Sequence, residues 1–359
     1  MRIVYLISYA GQAGTEKYVF DLMRVFSARG DDCRLVYWQS GPLSEKAAAR
    51  GYVTQELDMS PRRVLSSAHE LALYCRENAV DIIHAQYPRE NVIAVLSRLW
   101  RPETEVLFTS HLTVQQGSRW QLCNRIVTPW DKAVIAVCSP GAAMLRENGV
   151  YPPRILCIPN GLEPREPAKG ENSLRAELGV PEETFMFLSF ARFAPEKGLD
   201  VLLKAIYELK RRTRRPFACV IAGDGPLMDD IRRLAHVLAL GKNLILVGYR
   251  SDTEALLAAA DAYVSSAVCK EAMSYSILEA MRAARPILTT DVGAGRELAE
   301  HCGYVAAPGD AAELAENMLR LMSLPDQGRS LGLTARQRVC REFDLRRTSE
   351  RLHRIYEAD

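Results

Sequence analysis

Two carboxylates separated by seven residues, Glu271 and Glu279, stand in the second half of the chain, with a predicted helix beginning between them. The first backbone N–H groups of a helix have no partner within it, and with the helix dipole they stabilise an anion such as a diphosphate. Carboxylate oxygens accept hydrogen bonds from hydroxyl groups, so both side chains are suited to bind sugar or ribose hydroxyls beside that anion. The alternative is that Ser276 and Glu279 form a capping box, which only stabilises the start of the helix.

Cationic side chains suited to the same anion follow an apolar run at 185–190. Arg192 presents a planar fork of donors and Lys197 a point charge, and both neutralise phosphate oxygens. The alternative for Lys197 is an exposed ion pair with Glu196 or Asp200, which would contribute little to stability. The chain contains no D-x-D segment of the kind that holds a divalent ion against a diphosphate. We therefore expect neither a metal ion nor a cofactor.

The elements that must position these residues alternate between short apolar runs and longer segments with helical periodicity. That alternation predicts βαβ units and parallel sheets. Ligands bind at the carboxyl ends of parallel strands, so the residues that follow each strand are the candidates for function. The predicted strands are 3–8, 34–38, 52–57, 81–85, 106–110, 133–137, 155–158, 185–190, 218–222, 244–247, 262–265, 286–289 and 303–306. The predicted helices are 15–29, 66–79, 90–99, 116–129, 140–148, 197–212, 226–239, 252–259, 275–283 and 294–300, with a purely helical tail at 310–357.

A segment dense in Pro, Gly and charged residues, 160–181, interrupts this alternation. Its composition predicts an interdomain linker that leads into a short helix. The fold class is therefore α/β, with two Rossmann-like, doubly wound domains facing each other across a cleft that holds the ligand. The predicted boundaries are 1–160 for the first domain, 161–340 for the second and 341–359 for a C-terminal helix.

Composition excludes several classes of protein. The 46 Lys and Arg residues against 44 Asp and Glu residues leave a net charge of +2, too small for a dedicated nucleic-acid binder. Nine cysteines without a C-x-x-C pair, mostly inside apolar runs, indicate reduced, buried thiols. No apolar run approaches the roughly 18 residues of a spanning helix, and the first ten residues predict a strand rather than a signal peptide. We expect a cytoplasmic protein.

Basic residues in the predicted first domain leave a membrane contact open. Arg98, Arg101, Arg119 and Arg125 fit an anionic membrane surface or the solvated faces of helices about equally well. Peripheral association with the inner face of the membrane is therefore a second interpretation of the location.

The segment around Glu271 and Glu279 resembles the E-x7-E motif of glycosyltransferase family 4, the retaining nucleotide-sugar transferases with a GT-B fold. The resemblance extends over nearly the whole chain, because further segments resemble family motifs in the same order. They are Ala13-Gly14-Thr15-Glu16, His84 at a strand end, His111 at another, Ile158-Pro159-Asn160-Gly161, S-F-A-R-F-A-P-E-K-G at 189–198, A-G-D-G-P at 222–226 and T-D-V-G at 290–293.

The resemblance implies roles for residues at matching positions. The first domain would bind the acceptor, the second the donor, and the C-terminal helix would pack back on the first domain. The implied catalytic residues are His111, which would hydrogen-bond the donor sugar near its anomeric carbon, Glu271, Arg192 and Lys197. The implied donor-binding residues are Arg192, Lys197, Gly223, Tyr249, Arg250, Glu271, Ala272, Met273, Ser274, Tyr275, Ser276 and Glu279. The implied acceptor-side residues are Gly14, Thr15 and His84.

Some of these residues have equally good structural interpretations. His84 fits a brace for the neighbouring loop as well as a wall of the acceptor site. Tyr249 and Arg250, which follow a predicted strand, fit a loop that holds the base or a purely structural loop. Glu16 is as well placed to begin its helix favourably with the dipole as to contact a ligand.

Three departures from the family pattern concern glycines: Ala13 stands where the family has the first of its paired glycines, and the other two lie in the second half of the chain. The family usually has Gly-Phe-Gly where this chain has Ala272-Met273-Ser274, and the added Cβ atoms restrict the backbone that should meet the donor. This departure bears on donor identity and on activity. The third replaces the glycine usual before the strand at 286–289 with Ala284 and Arg285.

The function implied is retaining, metal-independent transfer of a hexose-type sugar from a nucleotide-sugar, most often a UDP-sugar in this family. The acceptor would be a hydroxyl of a glycan, a lipid-linked sugar or a small molecule. A catalytically silent GT-B-like subunit that binds a nucleotide-sugar or a partner enzyme is the alternative, since fold alone does not establish function. A nicotinamide dehydrogenase is a poorer interpretation, because Gly11-x-x-Gly14 does not match G-x-G-x-x-G.

Overall fold

The computed structural model describes residues 1–166 and 172–358, and the chain divides into two units. Met1–Gly161 together with Leu345–Asp359 form the N-terminal unit, and Leu162–Asp344 form the C-terminal unit. Of the predicted linker at 160–181, residues 167–171 lie outside the described residues, as does Asp359 of the predicted C-terminal helix. The chain leaves the N-terminal unit after Gly161 and re-enters it at Leu345, so 341–344 belong to the C-terminal unit.

The N-terminal unit contains a seven-stranded, parallel sheet with the order β3-β2-β1-β4-β5-β6-β7. Its strands are β1 (Arg2–Tyr9), β2 (Asp32–Gln39), β3 (Val53–Glu56), β4 (Ile82–Ala85), β5 (Glu105–Ser110), β6 (Ala133–Ala136) and β7 (Ile155–Cys157). Ile3 to Ile7 are fully buried, because helices cover both faces of a parallel sheet. The strand order reverses between β1 and β4, which makes their carboxyl ends a topological switch point.

Six helices of the N-terminal unit connect these strands in the described residues. They are α1 (Gly14–Ser27), α2 (Pro42–Ala49), α3 (Val64–Glu77), α4 (Pro88–Ser97), α5 (Ser118–Val127) and α6 (Ser139–Glu147). Helix α2 was not predicted from the sequence. That helix has only two turns and buries Leu43, Ser44 and Ala47, so its pattern is too short to distinguish from a loop.

The C-terminal unit contains a six-stranded, parallel sheet with the order β10-β9-β8-β11-β12-β13. Its strands are β8 (Phe185–Phe190), β9 (Phe217–Ala222), β10 (Leu244–Gly248), β11 (Ala262–Val264), β12 (Ile287–Thr290) and β13 (Gly303–Ala306). The order reverses between β8 and β11, at a second switch point. All the predicted strands are present, and the two Rossmann-like sheets confirm the predicted fold class.

The helices of the C-terminal unit are α7 (Asn172–Glu177), α8 (Leu199–Arg212), α9 (Met228–Val237), α10 (Thr253–Ala259), α11 (Tyr275–Arg282), α12 (Gly295–Ala299), α13 (Ala311–Met322) and α14 (Arg329–Glu342). The tail predicted as purely helical consists of α13, α14 and α15 (Leu345–Glu357). A turn between α13 and α14 interrupts it, because the carboxylate of Asp326 accepts hydrogen bonds from the backbone N–H groups of Gly328 and Ser330. Such local bonds compete with helix continuation.

Helix α15 packs on the rest of the N-terminal unit, as the resemblance to the family implied. Its Tyr356 hydroxyl lies 2.6 Å from Nδ1 of His84, and its ring centroid lies 5.1 Å from that of Phe26. Thr348 donates a hydrogen bond to the carbonyl of Pro159 at 3.0 Å. These contacts hold α15 against β4, α1 and the segment that follows β7.

Ala284, the second residue after α11, has a strained backbone conformation that a substitution should relieve. Ala283 is the C-cap of α11, and Ala284 follows it with φ of +57°. Left-handed backbone at this position favours glycine, because a Cβ there costs about 1–2 kcal/mol. We expect Ala284→Gly to raise the free energy of unfolding by about 1 kcal/mol, measured by urea denaturation.

The neighbouring alanine gives a matched control for this prediction. Ala283 has an ordinary φ of −76°. The same change there, Ala283→Gly, should lower stability by a few tenths of a kcal/mol or more, because glycine only adds entropy to the unfolded chain. Equal effects of the two substitutions would contradict the assignment of strain to Ala284.

Candidate active site

The switch point of the C-terminal unit brings together two of the predicted catalytic residues. Lys197 ends a short 3₁₀ turn after β8, and Glu271 lies in the loop after β11. Lys197 Nζ lies 2.5 Å from Oε2 of Glu271. The two side chains are 29% and 19% exposed, so they form a partly shielded pair that a ligand can still reach. Lys197 therefore pairs with Glu271 and not with Glu196 or Asp200, the two partners that the alternative interpretation named.

Backbone contacts hold the two loops of this pair together. The hydroxyl of Ser266 donates to the carbonyl of Lys197 at 3.0 Å, and the N–H of Val268 donates to the carbonyl of Glu196 at 2.9 Å. Gly198 has φ of +57°, and a Cβ there would lie 2.2 Å from the carbonyl oxygen of Ser266. The glycine after Lys197 is thus required for the close approach that places Lys197 beside Glu271.

Arg192 lies on the same loop but points more toward solvent. Its guanidinium pairs with the carboxylate of Glu196, and its side chain is 69% exposed. Asp200, the other predicted partner of Lys197, instead pairs with Lys204 at 2.9 Å on α8. Arg192 and Lys197 therefore follow the same strand, and each has a single carboxylate partner among the ion pairs recorded for the described residues.

Helix α11 begins one residue after its N-cap, Ser274, which makes no side-chain capping bond. The Ser274 and Ser276 hydroxyl oxygens lie 2.9 Å apart. Because Ser276 is inside the helix, Glu279 is not at the third helical position, and the capping-box interpretation of Ser276 and Glu279 is wrong. Helix α11 begins four residues after Glu271, so its N-terminus follows closely in the chain on the lysine–glutamate pair.

The segment that departs from the family pattern is accommodated without left-handed backbone. Ala272 and Met273 are buried, and the Ala272 carbonyl accepts a hydrogen bond from the N–H of Ala294 at 2.6 Å. Positive φ in this loop occurs at Lys270, with φ of +58°, and at none of Ala272, Met273 or Ser274. The side chains at these three positions therefore cause no backbone strain of the kind that only glycine relieves.

Gly223 and Arg250 lie at the carboxyl ends of β9 and β10. The N–H of Gly223 donates to the carbonyl of Gly248 at 2.7 Å, and a Cβ on Gly223 would lie 1.8 Å from the carbonyl oxygen of Ala191. The guanidinium of Arg250 binds Asp252 at 2.8 and 2.6 Å and Glu177 at 2.7 Å. Hydrogen bonds to these two carboxylates raise the pKa of Arg250. The geometry favours the structural interpretation for Arg250, whereas the exposed Tyr249 remains a candidate ligand contact.

In the N-terminal unit, the predicted acceptor-side residues Gly14 and Thr15 open α1. Gly14 is exposed, and the hydroxyl of Thr15 accepts a hydrogen bond from the Tyr87 hydroxyl at 3.2 Å. The carboxylate of Glu16 accepts a hydrogen bond from the N–H of Ala13 at 3.0 Å. Glu16 is buried and closes the first turn of the helix, so the structure favours its structural interpretation.

His84 is fully buried, and both of its ring nitrogens have protein partners. Nδ1 lies 2.6 Å from the Tyr356 hydroxyl, and Nε2 lies 2.6 Å from Oγ1 of Thr109. An acceptor cannot reach this ring in the structure. The predicted acceptor-side role of His84 is therefore replaced by the bracing role, and the element that it braces is α15.

His111 is half-buried at the end of β5, next to the switch point between β1 and β4. Its Nε2 lies 2.9 Å from Oε1 of Gln86, and the ring packs edge-on against Tyr18 at a centroid distance of 4.9 Å. Burial lowers the pKa of His111 to about 3. His111 is therefore a neutral imidazole at physiological pH, suited to hydrogen bonding rather than to neutralising a phosphate.

Because of His84 and His111, the free energy of unfolding should fall as the pH drops. Burial, followed by the nearby His111, lowers the pKa of His84 to about 3. Since the folded-state pKa lies below the unfolded value near 6.5, the unfolded chain binds more protons between these values. Stability is then complete above pH 6.5 and falls as the pH drops towards 3, by up to about 1.4 kcal/mol per pH unit for each histidine.

The measurement is the slope of unfolding free energy against pH between 7 and 5. We expect His84→Gln to reduce that slope, whatever it does to the absolute stability. His301 is 79% exposed, so His301→Gln should leave the slope unchanged. An identical slope in wild type and His84→Gln would show that His84 does not cause the pH dependence.

Two buried polar residues that follow β4 in the chain, Gln86 and Glu90, were not predicted from the sequence as site residues. The carboxylate of Glu90 accepts a hydrogen bond from the N–H of Ser8 at the end of β1, at 2.7 Å, and burial raises its pKa. Gln86 is fully buried and contacts His111. The sequence signal for Gln86 was its position directly after the apolar strand β4. A buried amide at such a position needs specific hydrogen-bond partners.

The described residues contain neither a candidate membrane-spanning helix nor a candidate metal site. Within 1–166 and 172–358, no helix is both long and apolar enough to cross a membrane. In the same residues, no three His, Cys, Asp or Glu side chains are grouped so as to hold a metal ion.

Family models match both units. The model described as Glycosyltransferase Family 4 matches residues 13–166, and the model described as Glycosyl transferases group 1 matches residues 171–338. Residues 167–170 separate the two matches, which together cover all of the candidate residues named above.

Relatives and solved structures match along most of the chain. The chain is 24% identical over 310 residues to the UDP-Gal:alpha-D-GlcNAc-diphosphoundecaprenol alpha-1,3-galactosyltransferase of Escherichia coli, covering 81% of this chain and 80% of that enzyme. It is 22% identical over 301 residues to the N-acetyl-alpha-D-glucosaminyl L-malate synthase of Bacillus anthracis, covering 81% and 78%. The crystal structure of Anabaena Alr3699/HepE in complex with UDP superposes with a TM-score of 0.88 at 18% identity, covering 98% of each chain. That likeness shows the fold, which is GT-B.

Proposed function

Because the chain belongs to glycosyltransferase family 4, we propose that it transfers a hexose-type sugar from a UDP-sugar to a hydroxyl group. The acceptor is a glycan, a lipid-linked sugar or a small molecule, and transfer retains the anomeric configuration without a metal ion. The observation that carries this proposal is the Lys197–Glu271 pair at the switch point of the C-terminal unit, beside the N-terminus of α11. Open parallel sheets bind phosphorylated ligands at such points.

In this proposal the diphosphate of the donor displaces the carboxylate from Lys197. Lys197, Arg192 and the first N–H groups of α11 then neutralise its negative charge, which grows as the sugar departs. Glu271, freed from the lysine, accepts hydrogen bonds from hydroxyl groups of the sugar. These fixed groups supply the positive charge that a divalent ion supplies in other transferases, which supports metal-independent transfer.

The anomeric configuration is retained if the acceptor hydroxyl attacks the anomeric carbon from the same face as the departing diphosphate. The bond from the anomeric carbon to the phosphate oxygen breaks, a bond to the acceptor oxygen forms, and the acceptor proton passes to the departing phosphate oxygen. The transition state resembles an oxocarbenium ion, and no enzyme carboxylate is required as a nucleophile.

The outer face of α5 supports a peripheral membrane contact, which we propose as well. Leu122 and Ile126 lie one turn apart on the helix and are 58% and 62% exposed, with exposed Arg119 and Arg125 on the same helix. Apolar and basic side chains together on one exposed helix suit an anionic bilayer surface.

The double substitution Leu122→Gln with Ile126→Gln should reduce cosedimentation with anionic vesicles several-fold. Leu333→Gln, at an equally exposed leucine of α14, should not reduce it. Equal binding by the three proteins would rule this surface out.

The direct test of the proposed function combines binding and turnover. A panel of nucleoside diphosphates and nucleotide-sugars should raise the melting temperature in order of affinity, with UDP and one UDP-sugar highest, because a ligand of the folded state stabilises it. Incubation of that UDP-sugar with acceptor hydroxyl compounds in the presence of EDTA should release UDP, and the product should have the anomeric configuration of the donor. Stabilisation without release or transfer would instead identify a silent binding subunit. Inversion, or dependence on a metal, would overturn the corresponding part of the proposal.

A further inference from the structure

Gln86 occupies a position that determines the hydrogen-bonding character of His111. The side chain of Gln86 has no exposed surface and lies directly after β4. Its Nε2 donates a hydrogen bond to the carbonyl of His84 at 2.9 Å. A backbone carbonyl only accepts hydrogen bonds, so the amide nitrogen must face His84 and the amide oxygen must face His111.

This orientation fixes the proton on the imidazole. Oε1 of Gln86 lies 2.9 Å from Nε2 of His111 and can only accept, so Nε2 carries the hydrogen. Burial keeps the ring neutral, as its lowered pKa indicates. A neutral imidazole has one N–H, so Nδ1 has a lone pair and acts as an acceptor.

We propose that Gln86 is a positioning residue that sets the Nε2–H tautomer of His111, so that Nδ1 accepts a hydrogen bond from a carbohydrate hydroxyl. Nδ1 of His111 has no hydrogen-bond partner recorded among the described residues. A hydroxyl can donate to Nδ1, whereas an ionised phosphate oxygen cannot, so the site selects a sugar and not the diphosphate. The identity of the ligand rests on the proposed function; the tautomer does not.

The backbone around Gln86 is held independently of His111. The N–H of Gln86 donates to the carbonyl of Leu6 in β1 at 3.2 Å, and the neighbouring His84 is held by Thr109 and Tyr356. A change in the Gln86 side chain therefore acts on His111 through one hydrogen bond. Gln86→Met keeps a similar length while removing both the donor and the acceptor.

The tautomer can be measured without an activity assay. In the full-length protein labelled with ¹⁵N-histidine, long-range ¹H–¹⁵N spectra should show six rings, with that of His111 protonated at Nε2 and bare at Nδ1. Assignment uses the loss of one ring in His111→Asn. A wild-type His111 protonated at Nδ1 would overturn the proposal even if Gln86→Met failed to fold. Gln86→Met should shift the ring towards a mixture of tautomers, and an unchanged ring would equally overturn it.

A matched control separates positioning from general loss of packing. Thr109→Val removes the hydroxyl that contacts His84 Nε2 and the Tyr18 hydroxyl, but neither of the two hydrogen bonds of the Gln86 side chain involves Thr109. We expect Thr109→Val to lower the melting temperature while the tautomer of His111 stays as in wild type. If Thr109→Val changes that tautomer as much as Gln86→Met does, the effect is one of packing and the proposal fails.

Kinetics then test the carbohydrate contact. Gln86→Met should lower kcat/KM for transfer about tenfold, as expected for one weakened hydrogen bond, with an unchanged dissociation constant for UDP. A rise in KM for the donor would place the hydroxyl on the donor sugar, and a rise in KM for the acceptor would place it on the acceptor. In a His111→Asn background, Gln86→Met should cause no further loss. Additive losses would refute action through His111, while absence of any transfer by wild type would refute only the proposed function and leave the tautomer result standing.

Discussion

Replacing Lys197 with Ala is expected to lower kcat/KM for sugar transfer by roughly 100-fold to 1000-fold, the usual effect of losing one preorganised group that stabilises developing charge. Glu271→Gln should also depress transfer strongly, because a neutral amide oxygen accepts hydrogen bonds from sugar hydroxyls more weakly than a carboxylate does. The assay is initial-rate transfer with the UDP-sugar found by the ligand panel. Parallel losses in kcat and kcat/KM would place the interaction in the transition state.

The folded state should tolerate both substitutions. The pair is partly exposed, so its loss should change the free energy of unfolding by no more than about 1 kcal/mol. The matched control is Lys204→Ala, which breaks the more exposed pair with Asp200 on α8. It should leave transfer unchanged. Near wild-type turnover in both Lys197→Ala and Glu271→Gln would refute the assignment of this site.

Gly223→Ala is expected to have the largest effect on structure. Gly223 has φ of +145°, and its new Cβ would lie 1.8 Å from the carbonyl oxygen of Ala191. Both the backbone conformation and the clash with a backbone atom forbid a side chain, so unfolding free energy should fall by about 3 kcal/mol or more. Because Ala191 precedes Arg192, the displacement should also weaken UDP binding, measured by calorimetry.

A second glycine allows the effect of backbone strain to be distinguished from the effect of a steric clash. Gly309 also has positive φ, +82°, but nothing lies within 4 Å of a Cβ built there. Gly309→Ala should cost only about 1–2 kcal/mol of backbone strain and should not alter UDP binding. If Gly223→Ala behaves like Gly309→Ala in both measurements, the close approach at Ala191 is not the reason for this glycine.

The strand pattern of both sheets could be predicted from the sequence because strands of a covered parallel sheet are nearly continuous apolar runs. Phe185–Phe190 and Phe217–Ala222 are examples in which almost every residue is buried. The pattern failed where local bonds override periodicity. Helix α2 is too short for a repeat, and the turn at Asp326 breaks the predicted helical tail through side-chain hydrogen bonds.

The candidate site, like the fold, could be predicted from the sequence only in part. Arg192, Lys197 and Glu271 could be placed at strand ends by their positions in the chain. Their pairing could not, because Lys197 and Glu271 are brought together only by the adjacency of β8 and β11 in the sheet. Nearby charges in the sequence, Glu196 and Asp200, suggested the wrong partner, since each is taken by another cation.

By itself the sequence determined the order of the elements, the two parallel sheets and the chemical types of residue at their carboxyl ends, because burial and turn chemistry act over short stretches of chain. Only the tertiary structure decided which of those residues meet. It enclosed His84 beneath Tyr356, turned Gln86 towards His111 and removed Glu279 from the capping position. The first two of these outcomes depend on hydrogen bonds between residues far apart in the chain, and spacing along the chain does not encode them.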